Sequence, residues 1–199
     1  MSPLVKKSFL LPALMALCAG CSSVYHMQVD NSSAMLSSQD RGALTKKKFA
    51  VPCRVEVICP GDMVGKYDTF FTGNLCHYPL ETIIERVFSD AVYAAFEQPG
   101  GEVLDSFTMK VEVFKSELKM DSSEAVYNLS LNITFEEPGE KKLTTFTIEK
   151  HVAAPVGENP AAMVPEAIYK AIREAAMDSI AKMKLDPKVV KTVRRFERK

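Results

Sequence analysis

Beyond its first twenty residues, the 199-residue sequence lacks any long apolar run. A membrane-spanning helix needs about 20 consecutive apolar residues, so none is expected. Histidine is scarce. His26, His77 and His151 show no zinc-ligand spacing with the cysteines. Gly61, Gly65 and Gly73 match neither a phosphate-cradling loop nor a dinucleotide fingerprint. The acidic residues are scattered over exposed faces, which gives no basis for paired-carboxylate catalysis. Cys76-His77 is the one adjacent Cys-His pair, and neighbours in sequence rarely bring an imidazole nitrogen onto a sulfur. These gaps argue against an enzyme, a metal site and a bound cofactor.

What is present begins with Lys6 and Lys7, followed by the apolar stretch Phe9 to Leu17 and the small residues Ala19 and Gly20 before Cys21. A stretch of that length suits a signal-peptide core. The segment resembles the lipobox of bacterial lipoproteins, with Cys18 standing where that pattern usually has Leu. The alternatives are a plain secretory signal or a redox Cys-Ala-Gly-Cys, and a redox pair needs a folded site to lower a thiol pKa. The resemblance implies that Cys21 is the lipidated residue. Its acyl chains would hold the protein on a membrane, more firmly than one chain could. Ser22 in place of Asp implies, by resemblance to Gram-negative lipoproteins, the outer membrane with the protein facing the periplasm.

Charge is balanced overall, with 25 basic and 25 acidic residues, but unevenly placed. Residues 49–187 carry a net −9, and residues 188–199 a net +5. An acidic body argues against a nucleic-acid partner, which would require a basic face on the fold. Four regions follow: a signal peptide at 1–20, a lipidated N-terminus and Ser-rich tether at 21–48, a folded domain at 49–187, and a basic tail at 188–199. A short strand near 25–29 fits within the tether.

Within the domain, Val51 to Cys59 alternate with period two and predict a strand. A long loop is expected from Pro60 to Pro79. Leu80, Ile83, Ile84, Val87, Phe88, Ala91 and Ala95 mark one face of a helix over 80–97. Three alternating strands follow, through Phe107–Val113, Tyr127–Phe135 and Thr145–Val152, with EEPGEKK as the hairpin turn between the last two. Asn159-Pro160 opens a second helix, and Asp186-Pro187 can cap a short third. The expected fold is α+β in the order β-α-β-β-β-α. A four-stranded, largely antiparallel sheet would carry two helices on one face.

This order, with VFSDAVYAAFE, FTMKVEVFK, AVYNLSLNITF, TTFTIEKHVAA and AIYKAIREAAMDSIAKM behind a lipobox, resembles small envelope lipoproteins of the YajG type. It is also similar to auxiliary lipoproteins of ABC transporters that move lipids. The resemblance covers residues 49–185 and rests on order and pattern, so it carries no site residues. It implies a non-enzymatic, membrane-anchored accessory module with a protein partner in the envelope. The other reading is a lipid-binding or lipid-transfer component whose sheet–helix layer opens to acyl chains, with a cavity at Phe107, Leu129 and Ile133. The tail KVVKTVRRFERK has three readings: a solvated terminus, an anionic-lipid contact, or a segment docked on its own acidic domain.

An exported protein meets an oxidising compartment, where thiols within reach pair. Cys53 and Cys59 on one strand would be roughly 20 Å apart, beyond the limit of about 7 Å between bridged Cα atoms. Cys76 can then pair with only one of them. A Cys59–Cys76 bridge would close a loop of about 18 residues and stabilise by about 3 kcal/mol. The rival is three reduced thiols. Peptide mapping without reduction, on protein taken from the periplasm, should return Cys59–Cys76. A Cys53–Cys76 link or three free thiols would rule the pairing out.

Overall fold

The computed structural model describes residues 24–26, 35–60, 64–69, 72–97, 106–120, 124–155 and 160–197. The strand that organises its larger sheet is β7 (Glu124–Glu137), following β1 to β6 in chain order. Ala125, Tyr127, Leu129, Leu131, Ile133 and Phe135 are all buried on one side of β7, while the residues between them stay half-exposed. β6 (Phe107–Met120) and β8 (Lys141–Pro155) flank it, both antiparallel. Beyond β6 lies β2 (Phe49–Ile58), and beyond that the two-residue β5 (Phe96–Glu97).

The helices cover the dry face. α2 (Leu80–Ala95) buries Leu80, Ile83, Ile84, Val87, Phe88 and Ala91 at helical spacing and packs on β2. α3 (Pro160–Leu185) lies on β7 and β8. Its inner stripe is largely small: Ala167, Ala171, Ala175, Ala176 and Ser179 are buried, with Ile168, Ile172 and Ile180 between them. Small side chains let a helix approach a sheet closely. Buried Ser179 satisfies its hydroxyl by donating to the Ala175 carbonyl at 2.7 Å. Each fully buried Ile, Leu or Phe here contributes about 1.5–3 kcal/mol.

The domain is α+β, as the sequence predicts, and its two long helices share one face. Three details differ. The sheet has five strands and is mixed, because β2 runs parallel to both β5 and β6. The reason is the connection: α2 lies between β2 and β6, and a strand–helix–strand crossover returns the chain in the same direction. Period-two alternation reveals which face is wet, not which way a strand runs. Second, the expected long loop contains a hairpin, β3 (Val64–Thr69) and β4 (Thr72–His77), joined in register from Val64↔His77 to Thr69↔Thr72. With β1 (Val24–His26), parallel to β4, it forms a separate three-stranded sheet. Third, there are four helices among the described residues.

One of the added helices, α1 (Ser38–Thr45), lies inside the stretch read as a tether. Its sequence is a poor helix on its own and needs anchoring. Ser37 caps it, accepting from the Asp40 N–H, and gives its own proton to the Asp40 carboxylate. Leu36 and Leu44 are buried. The buried Asp90 carboxylate of α2 accepts from the Leu36 N–H at 2.8 Å and pairs with Arg41 at 2.9 Å. At the far end, Lys184 donates to the Leu44 carbonyl. Asp90 is thus the clamp. Asp90→Ala should lower unfolding free energy by about 1–3 kcal/mol and speed proteolytic cleavage around α1. Asp90→Asn, which keeps an acceptor for Leu36, should cost less. Wild-type urea unfolding and proteolysis in Asp90→Ala would show that α1 is not held this way.

Candidate functional site

β6 does not keep one alternation along its length. Phe107, Met109, Val111 and Val113 face the helices, but the register with β7 slips between Val113 and Lys115. Phe114 is the extra residue and stands 64% exposed. After this bulge the inward positions are Ser116 and Leu118. The slip brings a hydroxyl to the core side. Ser116 shares hydrogen bonds with Tyr78 at 2.7 Å and Tyr127 at 2.8 Å, and the two rings meet edge-on at 6.2 Å. Tyr127 is wholly buried, and burial pushes its phenol well above the ordinary range. This chain of hydroxyls forms a satisfied polar core.

The thiols tell the same story. Cys53 and Cys59 are each held above the ordinary thiol pKa, Cys53 by burial and Cys59 by burial and then by Glu81, and the expected Cys59–Cys76 pairing lies outside the described residues with the Cys76 side chain. A nucleophilic or redox thiol needs the opposite shift. Cys76 falls on β4, whose side chains lie outside the described residues, as does Cys21. His151 is exposed and bonded to Asn128 at 2.7 Å. Among the described residues, no group of three His, Cys, Asp or Glu side chains could hold a metal, and no helix is long and apolar enough to cross a membrane.

The strongest electrostatic feature lies at the opposite end of the sheet, around α4 (Pro187–Phe196). Asp186 caps this helix, accepting from the Lys188 and Val189 N–H groups, and Pro187 supplies the first turn. Val189 and Val193 are buried, and Phe196 stands edge-on to Phe107 at 5.2 Å. Glu197 accepts from the Ala50 N–H. Arg195 donates to Glu137 at 2.7 Å, and Lys141 pairs with the same carboxylate at 3.0 Å. That carboxylate, at the end of β7, is 7% exposed. The basic tail therefore docks on its own acidic domain, one of the three readings the sequence left open.

Docking leaves cations pointing out. Lys188, Lys191, Arg194 and Arg195 of α4 face Lys141 and Lys142 of β8 across a groove of about 1050 Å³. Leu143, Pro187 and Val190 supply its apolar surface. Leu185 is adjacent in sequence, and 81% exposed. The lining includes six cations and no carboxylate, an arrangement suited to holding anions. Sequence reasoning found half of it, the basic tail. Lys141 and Lys142 read only as turn residues, because the 46-residue separation from α4 hides their juxtaposition.

No protein-family model and no curated relative matches the sequence. The chain is similar in structure to a Xanthomonas campestris protein of the DUF330 family, with 14% identity over 79% of this chain and 92% of that one, at a TM-score of 0.47. It is also similar to a minor lipoprotein from Acinetobacter baumannii, with 13% identity over 65% of this chain and 91% of that one, at a TM-score of 0.39.

The raised thiol and phenol have a measurable consequence. In the unfolded chain Cys53 would ionise near 9.0 and Tyr127 near 10.0, while in the fold burial keeps both protonated. Their contribution to stability is full below about pH 9 and falls as pH rises through these values, by up to about 1.4 kcal/mol per pH unit for each group. Urea unfolding from pH 8 to 11 should show this alkaline loss. Tyr127→Phe should flatten the portion above pH 10. An unchanged alkaline limb in Tyr127→Phe would mean the phenol ionises freely in the fold.

Proposed function

We propose that the chain is a lipid-anchored, non-enzymatic accessory module of the bacterial envelope, held on the outer membrane at Cys21 and docking a protein partner in the periplasm. The observation that carries this reading is the separation of two ends. β1 begins three residues after Cys21 and pairs with β4. Tyr78, just past β4, bonds to Ser116 in the far half of β6. The basic groove lies at the Phe107 end of the same strand. Ser116 and Phe107 are nine residues apart, about 30 Å at 3.3 Å per residue. An anchor at Cys21 would leave the cationic end some distance from the anchored sheet and free to meet a partner.

The lipid-transfer reading asks for an acyl cavity at Phe107, Leu129 and Ile133. Those side chains are fully buried, and Phe107 stacks on Phe135 with ring centroids 5.3 Å apart. Packing of this kind favours the docking module.

Fractionation tests the anchor. Cys21→Ser should leave the protein unprocessed or move it from the membrane pellet to the soluble periplasmic fraction, while Cys18→Ser should be processed normally. Normal processing and retention of Cys21→Ser, with loss on changing Cys18 instead, would refute the assignment. Cross-linking in intact envelopes, followed by pull-down, should return a specific periplasmic or membrane protein.

A further inference from the structure

The groove between α4 and the start of β8 is more selective than a cationic surface, and three features define what it takes. The first is charge. Lys142, Lys191 and Arg194 have no acidic partner among the described residues, whereas Lys141 and Arg195 are fixed in place by Glu137. Two cations are thus oriented by the fold, Lys188 sits in the field of Asp186, and three more can be neutralised by a ligand. The second is the apolar lining of Leu143, Pro187 and Val190, which rewards a ligand that carries apolar groups between its charges. The third is the state of α4 itself. A helix that binds a bilayer inserts its apolar stripe. Here that stripe, Val189 and Val193 with Phe196, is already committed to the core and to Phe107. What remains outward is a concave, charged channel, a poor match to a flat bilayer and a good match to a narrow chain.

We propose that this groove binds an acidic, amphipathic peptide segment of a protein partner, with carboxylates on the rim lysines and arginines and apolar side chains on Leu143 and Val190. The assignment deepens the docking role proposed above by naming the surface and the chemistry of the partner. It stands apart from the anchor, because binding is read on purified protein and anchoring by fractionation. Exposed cations of this kind act mainly through encounter and selectivity, and their effect weakens with salt.

The probe is a short fluorescein-labelled peptide alternating glutamate and leucine, titrated by anisotropy against the full-length processed chain in neutral detergent micelles. The expected result is saturable binding that weakens at least tenfold in the Lys142→Glu/Lys191→Glu double variant. Lys115→Glu, a charge reversal on the distant half of β6, should bind as wild type. A peptide with glutamine in place of glutamate should bind at least tenfold more weakly. Circular dichroism melts of each variant check that the fold is intact. Three results would overturn the proposal: no saturable binding of the glutamate peptide, equal loss in Lys115→Glu and the double variant, or displacement of the peptide by phosphatidylglycerol added to the micelles but not by phosphatidylcholine. The last would assign the groove to anionic headgroups.

Discussion

The whole fold depends on keeping one face of β7 dry. Its inward residues, from Ala125 to Phe135, are buried at every second position, and each neighbouring element is placed by that stripe. β6 and β8 extend it sideways through Met109↔Phe135, Val111↔Ile133 and Leu131↔Ile148. α3 covers β7 and β8, and α2 closes the β2 side. The opposite face can stay polar because it is satisfied across strands. Thr134 meets Thr145, Asn128 meets His151, Arg54 meets Thr108 and Lys110 meets Glu136. A sheet with one buried face has its register enforced, since a slip of one residue would carry the stripe into water.

Where the register does slip, it does so at defined places. The bulge at Phe114 turns one apolar ring outward and one hydroxyl inward, which lets Ser116 join Tyr78 to Tyr127. That bond ties the chain leaving the small sheet to the core of the large one. At the other end, the shift between Phe135 and Glu136 leaves three consecutive buried residues, the last being Glu137. A carboxylate at that depth requires cations, and Arg195 and Lys141 supply them. These two irregularities, unlike the shift between Phe49 and Pro52 where β2 meets β5, are points at which peripheral parts are fastened to the sheet.

The legible parts of the sequence were those in which burial repeats. α2, β7 and α3 follow from Ile83–Ile84–Val87, Tyr127–Leu129–Leu131 and Ile168–Ile172–Ile180 because periodic burial leaves a periodic sequence. The hairpin of β3 and β4 was hidden because Gly65, Asp68, Gly73 and Asn74 all read as loop residues. α1 was hidden because what holds it, the Asp90 carboxylate, lies more than forty residues away. The parallel pairing of β2 follows from topology, to which alternation is blind. Of the candidate sites, the cationic tail was visible as charge, but the groove was not, since its other wall, Lys141 to Leu143, comes from the start of β8, more than forty residues earlier.

The charge asymmetry of the chain has a structural logic. A tail of net +5 beside a body of net −9 could simply collapse onto it and lose its charge. The fold prevents most of that. Among the described residues of the tail, Arg195 is consumed, by Glu137, and the attraction serves to orient α4. Val189 and Val193 then fix the rotation of the helix by burial. At 100° per residue, placing these two inward carries Lys188, Lys191 and Arg194 to the outer and lateral faces. One ion pair and two valines thus keep the remaining positive charge displayed at one end of an acidic domain, where electrostatic encounter with a negative partner would be steered toward that end.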